Sequence, residues 1–439
     1  MAPAPSPALV LRAKRVIVRP GKVLENASVL VENGRIVAVG AELTVPENAQ
    51  VVEGEVVCAG FIDAWSNWAI DPEALVDDRA NAATLSKDAL ERYADRRPLL
   101  DILRAGVTGV RTQAGAQARM GGLGSFLRLH PTRPLEEVVL LEDCCLAATT
   151  GVTRGGRGQD IFERMSEIDR LIADLNQGNS YLIAKNEYKH ELAAWQKKIA
   201  QKQKELEDGF KKAKKDREKE EADAKTKGKE FKEKEYKEDN KPAPPKFEEE
   251  GEVLARAVSG QVPLVVEAHR NAELRALLEG TKAFPRLRLV IAGGSDALTV
   301  AQELVERAIP VLIWPVTSAP SLDNSADRPL EFRSADLGLA ARLAEAGVEV
   351  LLGSGGANST GSRDLPLLAA LAIGNGLDRQ TAFQALTLGA ARAIDVADRL
   401  GTVEVGKDAD ILVLDGEPLS TTTRVRHVVV GGDLVWSAQ

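Results

Sequence analysis

Histidine and cysteine are both scarce in this chain, four and three residues out of 439. Cys144 and Cys145 are adjacent and Cys58 stands apart, which makes neither a metal-ligand spacing nor a disulfide framework, so a reducing, cytoplasmic setting is expected. Long apolar runs are missing as well. No stretch reaches bilayer-spanning length, and the proline- and alanine-rich start, Met1 to Leu11, lacks the basic residues and apolar core of a secretory leader. A soluble protein without membrane attachment is the expectation. Charge of one sign is not in excess: the net charge is −8, and basic residues are dispersed or paired with acids. Nucleic acid is therefore not an expected partner.

The two ends read as β-structure. Arg15–Val18, Ser28–Val31 and Ile36–Val39 are short apolar strands, and Asn33-Gly34 between the last two is a hairpin turn whose central residues both need positive φ. Ile411–Leu414, Val425–Val430 and Leu434–Trp436 repeat the pattern, the last two joined through Gly431-Gly432-Asp433. Strands at both ends of a long α/β middle predict a small β-sandwich composed of residues 1–57 and 400–439.

From 58 to 399 apolar strands alternate with amphipathic helices, the pattern of a parallel sheet with crossover helices. The candidate strands are Val56–Trp65, Val107–Thr112, Ser125–Leu129, Val138–Ala147, Val262–His269, Leu287–Gly293, Pro310–Trp314 and Val348–Gly355. Eight is the number that closes a (β/α)8 barrel. A helix is expected at Ile161–Leu175, where Ile161, Met165, Ile168, Leu171, Ile172 and Leu175 form one stripe. Residues 185–250 break the rhythm with nearly balanced Lys/Arg and Asp/Glu. Their first half carries Tyr188, Leu192, Trp195, Ile199 and Leu206 as a short coiled-coil-like seam, and Pro242-Ala243-Pro244-Pro245 ends the helix. The expected fold class is thus α/β: a TIM-type barrel, a terminal β-sandwich and a charged helical insertion.

One stretch carries the chemical question. Gly60-Phe61-Ile62-Asp63-Ala64-Trp65-Ser66-Asn67 resembles the first barrel strand of the amidohydrolase superfamily, which reads Gly-Phe-Ile-Asp-x-His-x-His. Arg104–Arg111, Ala385–Arg392 with Asp398–Gly401, and Gly406–Leu414 also resemble that superfamily, especially its imidazolonepropionase-like and prolidase-like branch. The resemblance implies a barrel whose strand tips hold one or two divalent metals that acidify a water molecule. It also implies where the ligands would stand. Trp65 and Asn67 occupy the paired His positions of strand one, and strand four ends in Ala147-Ala148-Thr149-Thr150. Glu267 stands where strand five would supply its ligand, followed by His269 and Arg270. Gly293 and Gly355 take the His and Asp positions of strands six and eight. Glycine can serve neither as ligand nor as proton acceptor.

These substitutions lead to the expectation of no metal, no cofactor and no catalytic residue, and of a mouth filled by the indoles of Trp65 and Trp314. Asp63, His269 and Arg270, with Asp296 nearby, are the remaining candidate ligand-binding groups; His130, His190 and His427 are expected to be surface or hydrogen-bonded residues. The resulting functional expectation is a catalytically inactive amidohydrolase-like subunit that works with an active relative or with itself. Two alternatives stay open: a hydrolase of C–N bonds built on Glu267, His269 and Asp63, and a small-anion binding module using His269 and Arg270.

Overall fold

The computed structural model describes residues 8–75, 79–91, 97–115, 118–151, 161–223, 241–314, 336–356 and 361–438. The chain opens with β1 (Leu9–Arg19), β2 (Lys22–Glu32), β3 (Arg35–Gly40) and β4 (Gln50–Ala59). Asn33 and Gly34 turn β2 into β3 with φ of 50° and 78°, the left-handed pair that a two-residue hairpin demands.

Eight strands follow: β5 (Phe61–Ser66), β6 (Val107–Thr112), β7 (Met120–Arg128), β8 (Val139–Thr149), β9 (Leu264–Ala268), β10 (Leu289–Gly293), β11 (Val311–Ile313) and β12 (Val350–Leu352). The chain ends with β13 (Ile411–Leu414), β14 (Val425–Val430) and β15 (Asp433–Ser437).

The terminal strands form one seven-stranded sheet in the order β15-β14-β13-β4-β1-β2-β3. Antiparallel pairing of β13 with β4, Ile411 opposite Ala59 and Leu414 opposite Val56, joins the two ends of the chain. The single run expected at Val56–Trp65 is therefore two strands, one in each sheet. Gly60 separates them: a Cβ there would lie 2.1 Å from Thr108 Oγ1, so only glycine lets the chain pass β6 at this point.

Strands β5 to β12 make the second sheet, in sequential order, and it is nearly closed. Side chains complete the seam between its first and last strands: Ser354, two residues beyond β12, donates its N–H to Asp63 Oδ1 at 3.0 Å and its hydroxyl to Trp65 O at 2.9 Å. The architecture is the expected α/β barrel with a second sheet from both termini, with one departure. β7 runs antiparallel to both β6 and β8 and spans Met120–Arg128 rather than Ser125–Leu129. Too few residues separate β6 from β7 for a crossover helix; Gly115, at φ +61°, lies in the connection, and Gly122, at φ +85°, sits within β7 where its register with β8 shifts.

The helix expected at 161–175 and the charged insertion are continuous. Helix Ile161–Asp223 is 63 residues long. Its root buries Ile168, Leu171 and Leu175 in the main core, and Gly178 lets Leu254 of helix Glu249–Val258 approach to 2.5 Å of where a Cβ would stand. Farther out Tyr188, Leu192, Trp195 and Ile199 are half-buried among exposed charged neighbours, while Leu206 is exposed. Side chains from 209 to 240 lie outside the described residues. Among the described residues no helix is long and apolar enough to cross a membrane.

An ion network locks the terminal sheet to the barrel. Arg128 at the end of β7 binds Asp408 at 2.6 Å and Asp410 at 3.1 Å, and Arg399 shares Asp408. Both aspartates belong to the Gly406–Leu414 passage. His130 pairs with Asp433 at 3.2 Å, and His427 contacts Ser437 Oγ at 2.9 Å.

Candidate active site

Alternation along β5 carries Asp63 inward. Its carboxylate is fully buried: Oδ1 accepts the N–H groups of Trp65 and Ser354, and Oδ2 accepts the Ser362 hydroxyl at 2.7 Å. Because that proton is committed to Asp63, the Ser362 oxygen accepts from Ser66, 2.8 Å away, whose oxygen in turn accepts Trp68 N–H. Burial raises the Asp63 carboxyl above the ordinary aspartate range, and the bonds from Ser354 and Ser362 oppose it only in part. Asp63 is thus a structural acceptor that closes the barrel seam.

Trp65, two residues on, tilts its indole against that of Trp314, with centroids 5.5 Å apart at 33°. The imidazole of His269 meets Trp314 edge-on at 6.1 Å. Beneath them the Arg111 guanidinium lies 4.6 Å from the Trp65 ring centroid, within cation–π range. Asn67 donates to Gly356 O.

The glycines at the tips of β10 and β12 are part of this arrangement. A Cβ on Gly293 would stand 2.3 Å from His269 Cε1, and one on Gly355 would stand 2.7 Å from Trp314 Cγ. Both have positive φ, +84° and +79°, where an L side chain is strained in any case. Any side chain at 293 or 355 is therefore incompatible with His269 and Trp314 where they stand. Each ring occupies the space its glycine leaves.

Glu267, near the end of β9, and His269, one residue beyond it, come together at the strand tip. Glu267 Oε1 lies 3.5 Å from His269 Nε2, Thr149 contacts its other oxygen at 3.4 Å, and Ser295 meets His269 Nδ1 at 2.9 Å. Asp63 does not join them; among the described residues no three His, Cys, Asp or Glu side chains converge. Asp296 accepts Asn271 N–H at 2.9 Å, and Arg270 begins helix Asn271–Thr281.

Sequence alone does not single out two buried groups that organise this region. Glu273 accepts His269 N–H at 3.0 Å, Arg270 N–H and the Thr150 hydroxyl, and pairs with Arg164 of the long helix at 3.2 Å. The three-residue spacing from Arg270 to Glu273 at a helix start was the available signal. Arg111 is the other, a fully buried arginine in an apolar strand; its signal was a charge at an inward position of β6.

The comparisons agree with this architecture. The model of the amidohydrolase family matches residues 80–436. Over 111 residues, 24% of the chain, it is 35% identical to an imidazolonepropionase of Porphyromonas gingivalis, so it matches about a quarter (26%) of that relative's length. An amidohydrolase from Thermotoga maritima MSB8 superposes with a TM-score of 0.72 at 21% identity, covering 98% of this chain and all of the other. A prolidase complexed with N-methylphosphonate-L-proline gives 0.53 at 17% identity, with 98% and 100% covered.

The family match overturns the expectation that the chain takes no cofactor, because divalent metals are what this family uses. The donors described here do not fit such an ion by themselves: the Asp63 oxygens are filled by Trp65, Ser354 and Ser362, His269 Nδ1 by Ser295, and the indoles of Trp65 and Trp314 lie against each other with centroids 5.5 Å apart. Residues 152–160, 315–335 and 357–360, which follow β8, β11 and β12 in the chain, lie outside the described residues. A chain matched by the family model over most of its length, and folded as that family folds, belongs to the amidohydrolase family.

Proposed function

We propose that this chain is a member of the amidohydrolase family that does not hydrolyse substrate itself and serves as a structural or regulatory subunit, with an active relative or with a second copy. The interlock of Trp314 with Gly355 carries the reading. The carboxylate that resemblance would put on strand eight both binds metal and takes the proton from attacking water, and an indole stands in its space. The helix Ile161–Asp223 supplies a long charged docking edge, consistent with a protein partner in the cytoplasm. Size measurement and affinity capture from native cells test this. A stable complex of one amidohydrolase relative or of two copies is expected; a chain recovered alone and monomeric at high concentration contradicts it.

The second reading, a hydrolase of C–N bonds, is supported by Glu267 and His269 standing 3.5 Å apart at one strand tip, a carboxylate–imidazole pair of the kind that moves protons. The imidazolonepropionase match points the same way. Turnover that disappears with Glu267→Ala would establish it over the subunit reading.

A further inference from the structure

Among the described residues, a cation in the barrel interior meets no carboxylate. Arg111 is fully buried; Nη2 donates to Gln113 Oε1 at 2.7 Å, Nε donates to Cys145 Sγ at 3.0 Å, and Nη1 has no hydrogen-bond partner among the described residues. Burying a guanidinium without a compensating charge is costly. Cys145 is the group placed to supply the negative charge.

The neighbouring thiol makes this a pair. Cys144 lies in β8 where the register with β7 shifts between Gly124 and Phe126, and that irregularity brings two adjacent cysteines into one buried cluster. Cys144 Sγ lies 3.1 Å from Gly124 O and 3.9 Å from Cys145 Sγ, and its single S–H turns to Cys145 once that sulfur is a thiolate. Gly124 makes the room: a Cβ there would lie 3.1 Å from both Arg111 Nε and Cys145 Sγ. The Cys144 bond and the Arg111 charge hold the Cys145 thiol down to about 6 against its burial, whereas burial alone pushes the Cys58 thiol far up.

We propose that Cys144 and Cys145 are a peroxide-modified dithiol, closing to an intrachain disulfide beside Arg111. The Cys145 thiolate attacks one oxygen of a small hydroperoxide, the O–O bond breaks and hydroxide leaves, giving a sulfenic acid. Cys144 sulfur then attacks Cys145 sulfur, the S–O bond breaks, and the thiol proton leaves with that hydroxide as water. Sulfur has been oxidised by two electrons and the peroxide reduced by two. Full burial restricts the reaction to small neutral oxidants. Adjacent Cα atoms stand about 3.8 Å apart, below the usual disulfide range, so the product is strained and readily reduced. Oxidation also deprives Arg111 of its anion under Trp65.

The test is hydrogen peroxide on the folded protein, then denaturation, alkylation and peptide mass. The 144–145 peptide is expected unalkylated and lighter by about 2 Da, restored by dithiothreitol, with Cys58 still alkylatable and the Tm lowered until reduction. In the unaltered protein the rate should rise with pH through about 6, and in Cys145→Ser the thiol of Cys144 should stay reduced. Both thiols remaining alkylatable, oxidation past the disulfide, loss of Cys58 at the same rate, or a rate that rises only near the ordinary thiol value would each overturn the proposal.

Discussion

A Cβ on Gly355 would stand 2.7 Å from Cγ of Trp314, so these two residues specify each other. Gly355→Asp, which would restore the carboxylate suggested by resemblance, is expected to cost about 2–4 kcal/mol from positive-φ strain and overpacking. Adding Trp314→Ala should recover part of the clash but none of the backbone strain. Urea denaturation of both singles and the double gives the coupling; strictly additive losses would show that the ring and the glycine are independent.

The Arg164–Glu273 pair ties the long helix to the tip of β9. Both side chains are buried, 5% and 0% exposed, and Glu273 also receives the N–H groups of His269 and Arg270. Glu273→Ala should destabilise by about 3–5 kcal/mol, because it removes the carboxylate that meets a buried guanidinium and three donors. A loss below about 1 kcal/mol would mean that the pair is solvated in solution.

Stability should depend on pH through Cys145. Its folded value, held near 6 by the Cys144 bond and Arg111, lies below the unfolded thiol value of about 8.5. The unfolded chain therefore binds the extra proton between these values, and the contribution is complete above about 8.5 and lost as pH falls toward 6. Cys144, pushed upward by burial, acts only above the unfolded value and leaves this window unaffected. Denaturation midpoints across pH 6–8.5 should slope upward in the unaltered protein and flatten in Cys145→Ser; equal slopes would assign the effect elsewhere.

Much of the fold was legible locally. Asn33-Gly34 announced its hairpin, the Val107–Thr112 run its strand, and the Ile168–Leu175 stripe the buried root of the long helix. The reversal of β7 was not, because a short apolar run carries no direction and a connecting glycine such as Gly115 also suits a loop before a crossover. At the site, sequence located the residues but not their partners. Whether Asp63 is open to a ligand depends on Ser354 and Ser362, nearly 300 positions away, and the claim of Trp314 on the space beside Gly355 exists only once β11 and β12 lie side by side.

The most direct measurement is hydrolysis by the purified chain, with zinc or manganese supplied, of a panel of cyclic amides, N-acyl amino acids and proline-containing dipeptides. Rates equal to those of buffer with metal alone, unchanged by Glu267→Ala, are expected. Saturable hydrolysis that falls by about 100-fold or more on Glu267→Ala would contradict the subunit reading.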